Sequence, residues 1–224
     1  MAKILLIETT TSVCSVGLSI DDKLSIIYEE IGNNVHAAKV PLFAQEILNN
    51  HKIDAVAISS GPGSYTGLRI GTSFAKGIAY GYDIPLISVP TLDAMASYFV
   101  QVYLPDKDNV IIPTIDARRM EIYTAIYDWE GTPLSETKPV IVDENTFYEH
   151  SNKKLILLGN GAKKTYEKTE HKNKKIVNIL PSVRNMVTIA YNKFRIKKFE
   201  DIAYFEPFYL KQFLVTKSKK HKFN

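Results

Sequence analysis

Cysteine is nearly missing from this chain. Cys14 stands alone among 224 residues, which excludes an intramolecular disulfide and any zinc site built from several thiolates. A lone thiol suits a reducing compartment, so a cytoplasmic location is expected. Long apolar runs are lacking too: stretches such as 3–7 and 110–112 fall far below the roughly 20 residues of a membrane span. No charged and apolar leader pattern opens the sequence, so neither secretion nor membrane contact is expected. The five histidines, His36, His51, His150, His171 and His221, are scattered and are expected at the surface or in caps. H-E-x-x-H, G-x-S-x-G and C-x-x-C are all missing, and with them the usual signatures of a metallohydrolase or an elbow nucleophile.

What is present is an ordinary globular composition, 45% hydrophobic and 23% charged, in a chain of 25.3 kDa. That is enough for one large or two small domains without staples. The charge is unevenly placed. Residues 1–104 carry 6 Lys/Arg against 9 Asp/Glu, and residues 105–224 carry 22 against 15, a net −3 and +7. The last fourteen residues hold five lysines and no acid, either a solvated tail or a contact for an anionic partner.

The pattern reads as two similar halves. Apolar or β-branched runs at 4–7, 13–20 and 24–28 predict a three-stranded meander, turning at Asp21-Asp22. Three-and-four spacing of Val40, Phe43, Ile47 and Leu48 predicts a helix over about 34–50, with Pro41 either near its start or kinking its first turns. A strand at 54–59, a glycine-rich turn, a helix at 66–80, a strand at 86–89 and a helix from 91 to about 103 follow. Pro105 to Asn109 is a polar connection and the expected domain boundary, giving domains 1–104 and 105–224. Beyond it the pattern restarts: 110–116 is again an apolar strand ending in a carboxylate, and 120–127 echoes the second strand. Further strands are expected near 139–142, 155–158 and 176–180, with short, lysine-rich helices between them. The expected class is α/β, with a cleft between two sheet-and-helix units.

Three features bear on chemistry. The run from Gly61 to Gly71 lies between a strand and a helix, with Ser64 or Thr66 placed to cap. It is either an anion cradle at a helix N-terminus or a tight structural turn, and it matches neither the Walker nor the dinucleotide spacing. In the helix after it, Gly67, Gly71, Ala75 and Ala79 form a small-residue stripe beside an apolar stripe of Ile70, Phe74 and Ile78. That allows close approach either by the chain's own sheet or by another protein. Finally, Glu8 and Asp116 end equivalent strands and would either hold a metal–nucleotide or pair with nearby arginines.

Together, Ile7-Glu8-Thr9-Thr10, the His36 helix, the 60–71 segment, Val89-Pro90-Thr91-Leu92 and Ile115-Asp116-Ala117-Arg118 closely resemble the TsaB (YeaZ) family of bacterial tRNA threonylcarbamoyladenosine biosynthesis proteins, once labelled glycoprotease-like. The resemblance covers roughly the first 125 residues well, and Phe208-Tyr209-Leu210-Lys211 looks like the family's closing Tyr-Leu-Arg element. It implies two ribonuclease-H-like lobes of the actin, hexokinase and chaperone-ATPase superfamily. The related catalytic subunit TsaD carries two metal-binding histidines just after the strand corresponding to 86–89, and in that register this chain has Thr91 and Met95.

The resemblance therefore implies a non-catalytic scaffold without metal or cofactor. It would pair with a TsaD-type subunit and, through it, a TsaE-type ATPase, to modify the adenosine beside the anticodon of tRNAs that read codons starting with A. The tRNA would be reached through the complex, with a homodimer in isolation as an open alternative. In the family the pairing surface is made by the two first-lobe helices. This makes Val40, Phe43, Ile47, Gly67, Ile70, Gly71, Phe74, Ala75 and Ile78 the candidate partner residues. The competing reading is an independent nucleotide-binding enzyme of the same superfamily, using Glu8, Gly61, Gly63, Asp116 and Arg118.

Overall fold

The computed structural model describes residues 1–211, so all of the lysine-rich tail beyond Lys211 lies outside the described residues. The first half folds as β1 (Lys3–Glu8), β2 (Val13–Ile20), β3 (Lys23–Ile31), α1 (His36–Leu48), β4 (Ala55–Gly61), α2 (Tyr65–Gly81), β5 (Leu86–Pro90) and α3 (Thr91–Tyr103). The strands form one sheet in the order β3-β2-β1-β4-β5, with β1, β2 and β3 antiparallel and β1, β4 and β5 parallel. β1 is central, and its unbroken apolar run follows from burial on both faces. Alternation sends Leu5 and Ile7 to the core under α1 and α2, and Ile4 and Leu6 to the opposite face. Pro41 sits within α1 on its exposed side, and the helix continues through it.

The second half supplies β6 (Asn109–Asp116), β7 (Glu121–Thr124), β8 (Lys138–Ile141), β9 (Lys154–Leu158), α4 (Ala162–Lys168), β10 (Lys174–Ile176) and α5 (Val183–Arg195). Its sheet runs β10-β9-β6-β7-β8. Read from β8, this is the first sheet's order again: an antiparallel meander followed by two parallel strands. The molecule is thus α/β with two ribonuclease-H-like lobes of the same strand order. β7 is shorter than the expected 120–127 because its partner carries Pro113, which has no N–H to give the ladder. Pairing resumes beyond the gap, where Tyr127 and Ile111 exchange both backbone hydrogen bonds at 2.9 Å. The last strand falls at 174–176, earlier than expected, and the apolar Val177 and Ile179 go to the core after it has ended.

Packing crosses between the two halves of the chain. α5 lies far along the second half but covers the first sheet, where Val183, Met186, Val187 and Ala190 meet Ile4, Leu6, Ala55, Ala57, Ile87 and Val89. Burial of each large side chain there contributes about 1.5–3 kcal/mol. The helix starts at a capping box, with Ser182 and Asn185 reciprocally bonded. Only α4, at 7 residues, matches the expectation of short second-lobe helices.

After α5 the chain runs along the edge of β5. The Glu200 N–H donates to the Leu86 carbonyl of β5 at 2.9 Å, and farther on the Phe208 N–H donates to the Ser60 carbonyl at the end of β4 at 2.8 Å. This covers an otherwise open sheet edge. α3 joins the lobes: Ala94 packs with the α5 cluster, while Leu92, Met95, Ala96 and Phe99 pack on Ile111, Ile115 and Ile156 of the second sheet. The Tyr127 hydroxyl ties the same junction together by donating to Asp93 at 2.6 Å. No helix among the described residues is long and apolar enough to cross a membrane.

Candidate functional site

The glycine-rich segment is filled from within. A Cβ added at Gly63 would lie 2.4 Å from the Thr10 carbonyl oxygen, at Gly67 2.0 Å from that of Thr9, and at Gly71 2.2 Å from the Thr9 hydroxyl. The turn between β1 and β2 therefore presses into the loop and onto α2, and only glycine allows it. Thr9 Oγ1 donates to the Gly67 carbonyl at 2.8 Å, and the Ser64 N–H donates to that of Thr10 at 2.7 Å. Ser64 caps α2 by accepting from the Gly67 N–H at 3.2 Å. Gly61, at φ +103°, turns the chain beneath Phe208. Of the two sequence alternatives, the tight structural turn describes this loop. Gly61 and Gly63 serve close chain-to-chain approach there.

Glu8 closes the same knot. It is buried, and its Oε1 accepts from both the N–H and the hydroxyl of Thr10 at 2.5 Å. Burial raises its pKa above the ordinary value near 4.5, against the opposing pull of hydrogen bonds from Ser59 and Thr10. Ser59 is in turn bonded to Thr91 at 2.8 Å. Glu8 thus belongs to a buried hydroxyl cluster.

At the equivalent strand end, Asp116 makes the same local turn, accepting from the N–H two residues on, that of Arg118, at 2.6 Å. There the likeness stops. Asp116 is exposed and ion-paired to Lys164 at 2.8 Å. Pairing with an arginine was the sequence alternative, but Arg118 gives only its backbone. Arg118 and Arg119 both adopt left-handed backbone, φ +69° and +49°, where a side chain costs about 1–2 kcal/mol. Neither sequence spacing nor composition signals that geometry.

The candidate partner residues divide by face. Val40 and Ile47 of α1 and Gly67, Gly71 and Ala75 of α2 are buried against the chain's own first sheet, so that sheet takes the close approach the stripe allows. Phe43, Phe74 and Ile78 pack partly on the same core, and Ile70 is half-exposed. Phe43 also stacks on Tyr28, with ring centroids 5.6 Å apart.

The outward side of α2 holds residues outside the candidate partner set. Ser73, Gly77 and Gly81 form a second small-residue row four residues apart, and a Cβ on Gly77 or Gly81 would meet nothing within 4 Å. Beside this row Tyr80 is 81% exposed, and Leu42 on α1 is 54% exposed. The signal was in the sequence, since glycines 77 and 81 share the spacing of 67 and 71. Only the packing tells which pair faces out.

Thr91 and Met95, the positions expected to replace the metal-binding histidines, are both buried, Thr91 in the hydroxyl cluster and Met95 in the second-lobe core. No group of three or more His, Cys, Asp or Glu is arranged to hold a metal ion among the described residues. Cys14 is buried in β2, and its thiol is pushed up to about 11, chiefly by burial. His36 opens α1 from a buried position and donates to the Val13 carbonyl at 3.3 Å, so it is neither a surface residue nor a cap.

Comparison with known proteins adds to this geometry. The model of the family described as "TsaD: tRNA N6-adenosine threonylcarbamoyltransferase" matches residues 30–204. A similar curated protein is the tRNA threonylcarbamoyladenosine biosynthesis protein TsaB of Escherichia coli, 30% identical over 93% of this chain and 94% of its own length. The TsaB of Haemophilus influenzae is 34% identical over 54% of this chain and 51% of its own length. Among solved structures, YeaZ from Pseudomonas aeruginosa superposes with a TM-score of 0.78, covering 94% of this chain and 100% of that one at 20% identity.

Proposed function

The chain belongs to the TsaD threonylcarbamoyltransferase family and sits with the TsaB (YeaZ) proteins within it, and from that premise we propose that it acts as a non-catalytic partner subunit. Its role lies in tRNA threonylcarbamoyladenosine biosynthesis. In this reading it pairs with a TsaD-type catalytic subunit, which in turn engages a TsaE-type ATPase and tRNA. The observation that carries it is the use of the would-be catalytic positions for packing. Thr91 is held by Ser59, Met95 lies in the core, and Glu8 is closed under Thr10. A chain that builds its first-lobe strand ends into a buried knot keeps the fold of an enzyme and gives up open ligands there.

The pairing surface in this proposal is the outer face of α1 and α2. Gly77 lies in a helix interior and costs about 1 kcal/mol relative to alanine. No described residue packs close to it. A second protein laid along Ser73, Gly77 and Gly81, with Leu42, Ile70 and Tyr80 beside them, would offset that cost by close helix approach. The same face would serve a homodimer when the partner is missing.

The test is deletion of the gene, with the threonylcarbamoyladenosine content of cellular tRNA as the readout. The expected result is loss of the modification, restored by the wild-type chain and by Cys14→Ser. Modification that survives the deletion, or turnover by the purified chain alone, overturns the reading.

A further inference from the structure

The turn between β6 and β7 is a charged feature that this association leaves unused. Its two acids lie close in sequence to the two arginines, yet each takes a lysine from far along the chain: Lys164 holds Asp116 at 2.8 Å, and Lys211 pairs with Glu121. Lys164 is largely covered and also donates to the Arg119 and Glu121 carbonyls, clamping the turn. Both guanidinium groups are exposed, and neither makes an ion pair or side-chain hydrogen bond among the described residues. Asparagine and glycine take left-handed backbone with little strain, whereas this turn places two arginines there, φ +69° and +49°. The acids are neutralised from outside and the strain is held by the clamp, so two fork-shaped cations stand free on one rigid turn.

We propose that the Arg118–Arg119 turn is a phosphate-binding element for the backbone of RNA, an inference that rests on the reading that this chain works on tRNA. Planar guanidinium groups bind phosphate oxygens in pairs, and a turn fixed before contact loses little freedom on binding. An RNA backbone fits better than an acidic protein segment. The net +7 of residues 105–224 gives a broad positive field suited to a polyanion. Protein docking centres instead on clusters of apolar anchors, and the turn offers the single exposed Met120.

The test is fluorescence anisotropy with a labelled, unmodified tRNA transcript from about 50 to 200 mM salt. It uses the full chain, alone and with the TsaD-type subunit. Two double variants are compared with wild type: Arg118→Asn with Arg119→Gly, and Lys163→Ala with Lys175→Ala, which removes equal charge elsewhere in the lobe. The turn variant is expected to bind about tenfold more weakly, with a salt slope shallower by about 2. Its melting temperature is expected to rise as the backbone strain is relieved, which separates lost contact from lost fold. The lysine variant is expected to change little.

Unchanged affinity and slope in the turn variant overturn the inference. So does an equal loss in both variants, which would mean diffuse charge. Loss of protein association with RNA binding intact also overturns it, in favour of an acidic protein surface. Failure of the underlying reading shows separately, as tRNA modification that persists without the chain.

Discussion

Two strand ends in this molecule begin alike and end as opposites. Glu8 and Asp116 close the central strands of their lobes, and each accepts a hydrogen bond from the N–H two residues on. In the first lobe the turn that follows carries threonines and is pressed into a glycine-lined helix, so the carboxyl is buried among hydroxyls. In the second the turn carries arginines and faces solvent, held by Lys164. The same local motif has become a core component in one place and a presented surface in the other. The difference lies in what packs over it, since α2 presses its glycines onto one turn and α4 reaches the other with the Lys164 side chain.

Substitutions that exchange these environments sharpen the comparison. The largest effect is expected at Gly67→Ala, whose Cβ would stand 2.0 Å from a backbone carbonyl that has little room to move. Urea unfolding is expected to show a loss of about 3 kcal/mol, the upper range for overpacking. Next comes Glu8→Ala, which leaves the Thr10 N–H buried and unpaired, at about 1–3 kcal/mol by the same measurement.

Glu8 also carries a pH signature. Its pKa is raised in the folded state, so its contribution is fully present below the ordinary value near 4.5 and is lost as pH rises toward the folded value. Glu8→Gln is expected to remove that decline, so the stability difference from wild type grows in favour of the variant with pH above about 4.5. A parallel pH dependence in both proteins would break the assignment.

A smaller change of opposite sign is expected at Gly77→Ala: a gain of about 1 kcal/mol, or roughly 2–4 °C in melting temperature. The smallest is Asp116→Asn, where an exposed ion pair contributes under about 1 kcal/mol. If Asp116→Asn cost as much as Glu8→Ala, the contrast between the two strand ends would fail.

Much of this architecture is legible in the sequence. Period-two and period-four patterns place the first-lobe elements, and the restart at residue 110 reveals the duplication. Pattern alone does not reveal destination. α5 carries a sound capping signal and an apolar face, but nothing local says that it crosses back to the first sheet. The glycines of α2 show the same limit. They fall in two pairs of equal spacing, and only tertiary contact separates Gly67 and Gly71, pressed against Thr9, from Gly77 and Gly81, which face outward. The left-handed arginines were hidden as well, because no propensity rule places that residue type there.

The most direct test of the account is calorimetric titration of the TsaD-type subunit with wild type and with Gly77→Trp. A bulky ring on the outer face of α2 should leave the melting temperature intact and raise Kd about 100-fold, near 2.7 kcal/mol. A Kd unchanged from wild type would contradict the claim that this lobe pair works by association through that face.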